Sequence, residues 1–227
     1  MAEVEYVPDF LAPLRVVPGV RAAWIGRVPG VDVSADRLEV LRRLRPVHEQ
    51  AIEELAGAGA QWWRPEQVHG AELAVAPGPR QVIGPDGMAM VPETDGLLTV
   101  RSGLVLGVYV ADCGPVWLAD RKTGAVGIVH SGRKGTEGRI VPKAIERMRQ
   151  EFGTRPMDVI AVLGPCIRPP NYEVDFASEI ARQVEAAGVG AYHDCGCDTA
   201  MDLASCYSYR AELGRTGRML ALVWREG

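Results

Sequence analysis

Cys113 and His130 are the two side chains of this sequence best placed to do chemistry together. They lie in the stretch 104–142, LVLGVYVADCGPVWLADRKTGAVGIVHSGRKGTEGRIVP, which also carries a glycine-punctuated basic loop and two apolar runs able to present them. A thiolate beside an imidazole suits either of two chemistries. Together they can hold a divalent metal such as zinc, or the imidazole can activate the sulfur as a nucleophile.

The local geometry follows from the flanking residues. Apolar runs at 116–118 and 125–129 enclose the turn signal Arg121-Lys122-Thr123-Gly124, which predicts a β-hairpin with Asp120 opposite Ala125. In that register His130 faces Pro115, and Cys113 lies two residues further along. Diagonal neighbours on one face of a strand pair are roughly 7–8 Å apart at the backbone, close enough for imidazole and thiolate to converge on one ion. Gly114-Pro115 is expected to interrupt the ladder, leaving Cys113 at a strand end.

A catalytic zinc takes three protein ligands and keeps one position open, so a third ligand must come from elsewhere. The chain has four histidines. His69, in Gln67-Val68-His69-Gly70, follows Trp62-Trp63 and precedes the apolar run 73–76, which places it at a strand entrance. His48 falls in the polar part of a helix and reads as solvated. A rival cluster is His193-Asp194-Cys195-Gly196-Cys197 with Cys206 nearby. In an extended strand residues 193, 195 and 197 share one face, so four ligands could close a structural zinc site. Free thiols packed beside a turn are the simpler reading, because Gly196 weakens the strand.

The elements that must position these residues can be read in turn. Residues 21–25 predict a strand, and 35–44 and 47–56 predict two helices ended by Gly57-Ala58-Gly59. Residues 77–92, rich in Gly and Pro, read as a surface loop. Residues 97–100 and 104–110 read as strands, the second apolar enough to be buried on both faces. The loop 131–138 leads into a helix whose apolar residues are Ile140, Val141, Ala144, Ile145, Met148 and Phe152, ended at Gly153. Its glycines let backbone N–H groups face an anion at a helix start, and phosphate is the obvious one. Residues 158–163 form a further strand, Cys166 in the turn after it reads as a small buried cysteine, and Phe176, Ile180, Val184 and Ala187 define a last helix face. Strands do not alternate regularly with helices. The predicted fold class is therefore α+β, with mixed, largely antiparallel sheets covered by helices, in a single domain over 1–227 whose N-terminal residues 1–61 are the least informative.

Composition bounds the function. A chain of 227 residues with 47% hydrophobic content can bury a substantial core. A net charge of −4 with both signs dispersed argues against a nucleic-acid partner. No apolar run approaches the ~20 residues of a membrane span, and the acidic opening MAEVEYVPDF lacks the pattern of a secretory signal. Five scattered cysteines suggest reduced thiols, so a cytoplasmic protein is expected.

QVHG, TDGLLT at 94–99, ADCGPV, VHSGRKGT, GPCIRPPNYEV and YSYRAELGRTGR occur in the order and approximate spacing of the YfiH-type family, long labelled laccase-domain or polyphenol oxidase proteins. The chain resembles that family over roughly its last two thirds. The resemblance implies a zinc ion held by His69, Cys113 and His130. It also implies action on purine nucleosides, by phosphorolysis with phosphate as co-substrate, by deamination of adenosine, or by both. Copper polyphenol oxidation fits poorly, since several copper ions need more imidazoles than four. The chain departs from the family in three places. Its Ser-Leu-Asn-x-Gly segment is missing from 1–61, Ser131 and Arg133 replace an alanine and a tryptophan, and a helix with a Leu-Trp-x-x-Asn signature before Tyr192 is shortened or missing.

On this reading Arg133, Lys134 and Arg218 are the phosphate-binding or substrate-binding cations, with Arg210 a weaker candidate. Asp112 and Asp95 are the nearest candidates to carry a proton. The nucleobase deaminase signature is absent, and Glu72 would point away from His69 on a continuous strand. Two rival functions use the same residues. One is a metal-free thiol hydrolase in which His130 activates Cys113, and the other is a metal-binding protein without turnover.

Overall fold

A computed structural model describes residues 6–78 and 80–227. Residues 1–5, half of the acidic opening that argues against a secretory signal, lie outside the described residues. The elements run β1 (Val20–Ile25), α1 (Arg37–Ala56), β2 (Gln61–Trp63), β3 (Leu73–Val75), β4 (Val82–Ile83), β5 (Ala89–Met90), β6 (Gly96–Thr99), β7 (Leu104–Val110), β8 (Gly114–Asp120) and β9 (Val126–Ser131). Then follow α2 (Arg133–Glu137), α3 (Ile140–Phe152), β10 (Val159–Leu163), α4 (Phe176–Ala186), β11 (Ala191–Asp194) and β12 (Met219–Arg225).

Two stacked sheets organise the chain. One has the order β1-β12-β7-β2, the other β11-β10-β8-β9-β6-β3, and β4 with β5 makes a separate two-stranded ribbon. Pairing is antiparallel except for β2 with β7, β3 with β6 and β10 with β11, so both large sheets are mixed and largely antiparallel, as expected. The unbroken apolar strands follow from the layering. Along β8, Trp117 and Ala119 enter the core between the sheets, while Val116 and Leu118 face α3 and α4. Along β12, Ala221 and Val223 enter that same inter-sheet core, while Leu220 and Leu222 face α1. Period-2 side chains thus meet an apolar layer on both sides, and alternation with polar residues disappears. The indole Nε1 of Trp117 donates to the Leu222 carbonyl at 2.8 Å, tying the two sheets together.

Three sequence expectations are corrected. The two helices expected within 35–56 are one, α1. Pro46 sits inside α1, at the loss of one backbone hydrogen bond, because Val40, Leu41, Leu44, Ala51 and Ile52 keep a continuous buried stripe on both sides of it. Asp36 caps the helix, accepting from the N–H groups of Leu38 and Glu39 at 2.9 and 3.2 Å. His48 is not solvated. It is fully buried on the inner face of α1, its Nδ1 3.3 Å from the Tyr109 hydroxyl, and burial pulls its pKa down to about 4. The stretch 77–92 is more than a surface loop. It carries the β4–β5 hairpin, buries Met88 and Met90, and supplies Asp86, whose two carboxylate oxygens both accept from buried Arg64 Nη2 at 2.8 Å.

Among the described residues no helix is long and apolar enough to cross a membrane.

Candidate metal centre

The β8–β9 hairpin sets the first two donors. Asp120 Oδ1 accepts from the N–H groups of Lys122 and Thr123, and Asp120 N–H donates to the Ala125 carbonyl at 2.9 Å. Gly124 adopts the left-handed φ of 72° that this tight turn requires. The register runs as expected, with Pro115 opposite His130. The expected break at Gly114-Pro115 does not occur. Gly114 continues the ladder opposite Ser131, since the Pro115 carbonyl still accepts, from Gly164 N–H at 3.0 Å. Cys113 stands just before β8.

Asp112 aims it there. This buried residue has a φ of 85°, and its two carboxylate oxygens accept from Thr199 Oγ1 at 2.6 Å and from Arg210 N–H at 2.7 Å. Its carbonyl accepts from Ile167 N–H at 2.9 Å. An uncommon backbone conformation persists only where its surroundings over-determine it, and three segments clamp this one. With both oxygens committed, Asp112 is poorly suited to carry a proton.

His69 arrives from the other side of the sequence, on the loop between β2 and β3. Both Gln67 and His69 have positive φ, 66° and 62°. The buried Gln67 amide holds the loop against β7: its Oε1 accepts from Tyr109 N–H at 2.8 Å and its Nε2 donates to the Tyr109 carbonyl. Asp95 then joins everything. Oδ1 accepts from His69 N–H at 2.9 Å, Oδ2 accepts from Gly70 N–H at 2.6 Å, and His130 Nδ1 lies 2.9 Å from Oδ1. With Nδ1–H directed at the carboxylate, Nε2 is the nitrogen left to face a ligand.

The outcome is a cluster in which one donor atom each from His69, Cys113 and His130 lies within 4.8 Å of the others. The imidazole centroids are 5.0 Å apart at 74°. His69 is exposed, Cys113 half-buried and His130 buried, so the cluster opens to solvent at one end. Two nitrogens and one sulfur at this separation suit a divalent metal with a vacancy on the open side.

Electrostatics couple the three. Burial opposes ionisation of Cys113, but His130 and His69 bring its pKa down to about 6. Burial likewise disfavours a charged His130, yet Cys113 and Asp95 hold its pKa up to about 9. Asp95 resists the upward push of burial through its bonds to His130, Gly70 and His69, and ends below the usual carboxylate range. The metal-free pair is therefore thiolate and imidazolium, and a metal must displace the His130 proton. Affinity is expected to rise about tenfold per pH unit from about pH 6 to about pH 9, and more steeply below that as Cys113 also holds a proton. Competition against a chromophoric chelator across this range checks it; a flat profile would refute it.

Gly132 is a requirement that sequence reading missed. A Cβ there would overlap Cys113 Sγ and stand 3.3 Å from Cys113 Cβ. Gly132→Ala should push the thiol off its position and cost about 1–3 kcal/mol of stability. The check is thermal denaturation alongside metal stoichiometry, and an unchanged variant would remove this role.

The proposed cations differ in exposure and in partners. The glycine-rich loop closes at once into α2, where Arg133 is exposed and paired with Glu137 at 2.9 Å; Lys134 is exposed beside it. Arg210 pairs with Glu173 and lies 5.2 Å from the Tyr172 ring centroid. Arg218 differs. It is partly buried, and its partners among the described residues are the carbonyls of Gly217 and Thr216 and the Tyr209 ring at 5.9 Å. Burial and nearby Arg37 pull its pKa down to about 10, opposed by Cys113, Tyr209 and Asp112. It is thus a cation within electrostatic reach of the centre.

The rival cluster does not assemble. Among the described residues His69, Cys113 and His130 are the one group of three or more such side chains close enough for a metal. β11 ends at Asp194, and Gly196 turns at a φ of 71°, which breaks the extended face that residues 193, 195 and 197 needed.

Comparison with known proteins gives consistent results. The pattern of the family described as "Multi-copper polyphenol oxidoreductase laccase" matches residues 30–179 and 174–226. A protein of Deinococcus radiodurans named purine nucleoside phosphorylase is 33% identical over 96% of this chain and 92% of its own length. One of Geobacillus stearothermophilus, named purine nucleoside phosphorylase YlmD, is 30% identical over 86% of this chain and 82% of its own. The crystal structure of YlmD from Geobacillus stearothermophilus superposes with a TM-score of 0.73 at 25% identity, covering 93% of this chain and 94% of that one.

Proposed function

The chain belongs to the multi-copper polyphenol oxidoreductase laccase family, of YfiH type, and on that premise we propose that it is a zinc-dependent purine nucleoside phosphorylase acting on adenosine and related nucleosides. The observation that carries this reading is the convergence of three donors from separate segments, with the exposed His69 at the open end. A thiol hydrolase needs only Cys113 and His130, and it leaves the clamped loop that delivers His69 without a purpose. The copper in the family's description is not matched by this donor set, because four histidines, one of them buried against Tyr109, cannot furnish several copper sites.

His69, Cys113 and His130 would hold the zinc. When bound, it would supply Lewis-acid polarisation and neutralisation of phosphate charge. The protein's own residues do the rest. Asp95 keeps His130 in the tautomer that presents Nε2 and holds the His69 backbone at the same time. Arg218, partly withdrawn from water and free of a carboxylate partner among the described residues, binds phosphate and directs it at the ribose anomeric carbon; a cation in such surroundings attracts an anion more strongly than one in bulk solvent. Exposed Lys134, four residues after His130, would add attraction, and Arg133 can join by leaving Glu137.

The test is incubation of zinc-loaded protein with adenosine, inosine and guanosine, with and without phosphate, followed by chromatography. Free base and ribose 1-phosphate appearing only with phosphate are expected. Inosine from adenosine without phosphate would establish deamination as well, and no product under any condition would end the enzymatic reading. Arg218→Ala is expected to raise the KM for phosphate about 10–100-fold, the loss of a charged hydrogen bond, with a smaller effect on the KM for nucleoside. An unchanged phosphate KM would take Arg218 out of the site.

A further inference from the structure

The loop 195–206 after β11 holds three of the five cysteines, and the function proposed above uses none of them. We propose that Cys195 and Cys197 form a reversible dithiol–disulfide pair, a modification site that a peroxide-class oxidant converts ahead of the other thiols when zinc holds Cys113.

Geometry carries the pairing. Consecutive Cα atoms lie about 3.8 Å apart, so a turn at the intervening residue brings Cα atoms 195 and 197 into the ~4.4–6.8 Å window that a disulfide requires. Gly196 makes that turn with a φ of 71°, a conformation that costs a glycine nothing, and its N–H donates to Asp194 Oδ1 at 2.9 Å. Both thiols fold onto the turn. Cys197 N–H donates to Cys195 Sγ at 3.4 Å, and Cys197 Sγ donates to the Cys195 carbonyl at 3.7 Å. The frame is held from outside by Cys195 N–H to the Leu163 carbonyl at 3.0 Å and by Arg168 Nε to the Cys197 carbonyl at 3.2 Å.

Access carries the selectivity. Cys197 is exposed and Cys195 half-buried, whereas Cys166 and Cys206 are buried away from an oxidant in solvent. Cys113 is the competing thiol, and in the zinc-loaded protein its sulfur would be a ligand together with His69 and His130. Oxidation begins at the sulfur that solvent reaches, Cys197. Its sulfur attacks one peroxide oxygen, the O–O bond breaks, and a sulfenic acid and water result. The Cys195 sulfur then displaces hydroxide from that sulfenic sulfur, losing its own proton, to give the S–S bond and a second water. Two thiols lose two electrons, and one peroxide is reduced to two waters. A dithiol reductant reverses the change by exchange.

The test uses the full zinc-loaded chain, reduced, desalted and exposed to equimolar hydrogen peroxide. Free thiols are then blocked with N-ethylmaleimide, and peptides are mapped by mass spectrometry before and after reduction. The peptide bearing residues 195–197 should be lighter by two hydrogens and unblocked before reduction, and take up two labels after it, while Cys166 and Cys206 are blocked only on unfolding. In Cys197→Ser the mass loss should vanish and Cys195 should remain a free thiol. Blocking of both wild-type thiols while Cys113 is oxidised first would overturn the proposal, as would a disulfide joining either one to a different cysteine.

Discussion

Cys113→Ser is expected to lose stoichiometric metal on dialysis and at least about 99% of phosphorolytic activity. The magnitude follows from ligand energetics. Four-ligand zinc sites bind with about 10–16 kcal/mol at neutral pH, so one ligand accounts for roughly 3–4 kcal/mol, or ~10²–10³ in affinity. A serine hydroxyl stays neutral where the thiol, with its pKa held at about 6, supplies an anion. The fold should survive, since Cys113 precedes β8 rather than filling a core layer, and the Asp112 clamp to Thr199 and Arg210 uses no sulfur. His69→Ala is the companion variant. Its ring is exposed, so truncation removes a ligand without opening a cavity. Elemental analysis and the phosphorolysis assay on both variants make the check. Full activity in His69→Ala, with Cys113 alkylated irreversibly by iodoacetamide in native protein, would replace the metal by thiol catalysis.

Asp95→Asn is expected to weaken metal binding about 10–100-fold, the range seen when a carboxylate behind a ligating histidine is removed. Shape is retained and only the acceptor character changes. An amide offers one oxygen where the carboxylate serves three donors: the N–H groups of His69 and Gly70, and His130 Nδ1. One of these must then face an amide NH2, and a buried unsatisfied donor costs about 1–3 kcal/mol. The substitution also removes an anion that raises the His130 pKa, so the pH dependence of metal affinity should move to lower pH. This displacement separates a positioning role from a structural one, because a general loosening of the loop would weaken affinity at all pH values alike. An unshifted profile with wild-type affinity would show that Asp95 does not orient the centre.

Asp95 also shows where reading the chain as a string has limits. It stands in Thr94-Asp95-Gly96, a turn before a strand, and that position alone allows either a proton carrier or a turn residue. Neither captures its observed place as the acceptor that joins the His130 ring to the His69 backbone. Gln67 is similar, since nothing in Gln67-Val68-His69-Gly70 announces that its amide takes the place of a strand neighbour for Tyr109. His48 departs from its sequence reading for a related reason. Its helical neighbours are charged, but helix orientation is set by the whole buried stripe of α1, and that stripe includes it.

Residue order alone sufficed wherever the determining contacts are local. The turn at 121–124 pins the β8–β9 register, and that register puts Cys113 and His130 on one diagonal. Apolar runs without alternation announced strands covered on both faces; that a second sheet supplies one of the two covers is seen only in the structure. Tertiary structure decided what depends on pairing between distant segments. It carried His69 to Cys113 and His130, linked the two histidines through Asp95, left Arg218 without a carboxylate among the described residues, and kept residues 193, 195, 197 and 206 from forming a common metal cluster. The physical reason is that periodicity and turn propensity act over a few residues, whereas convergence is fixed by which strands share a sheet and how the sheets stack.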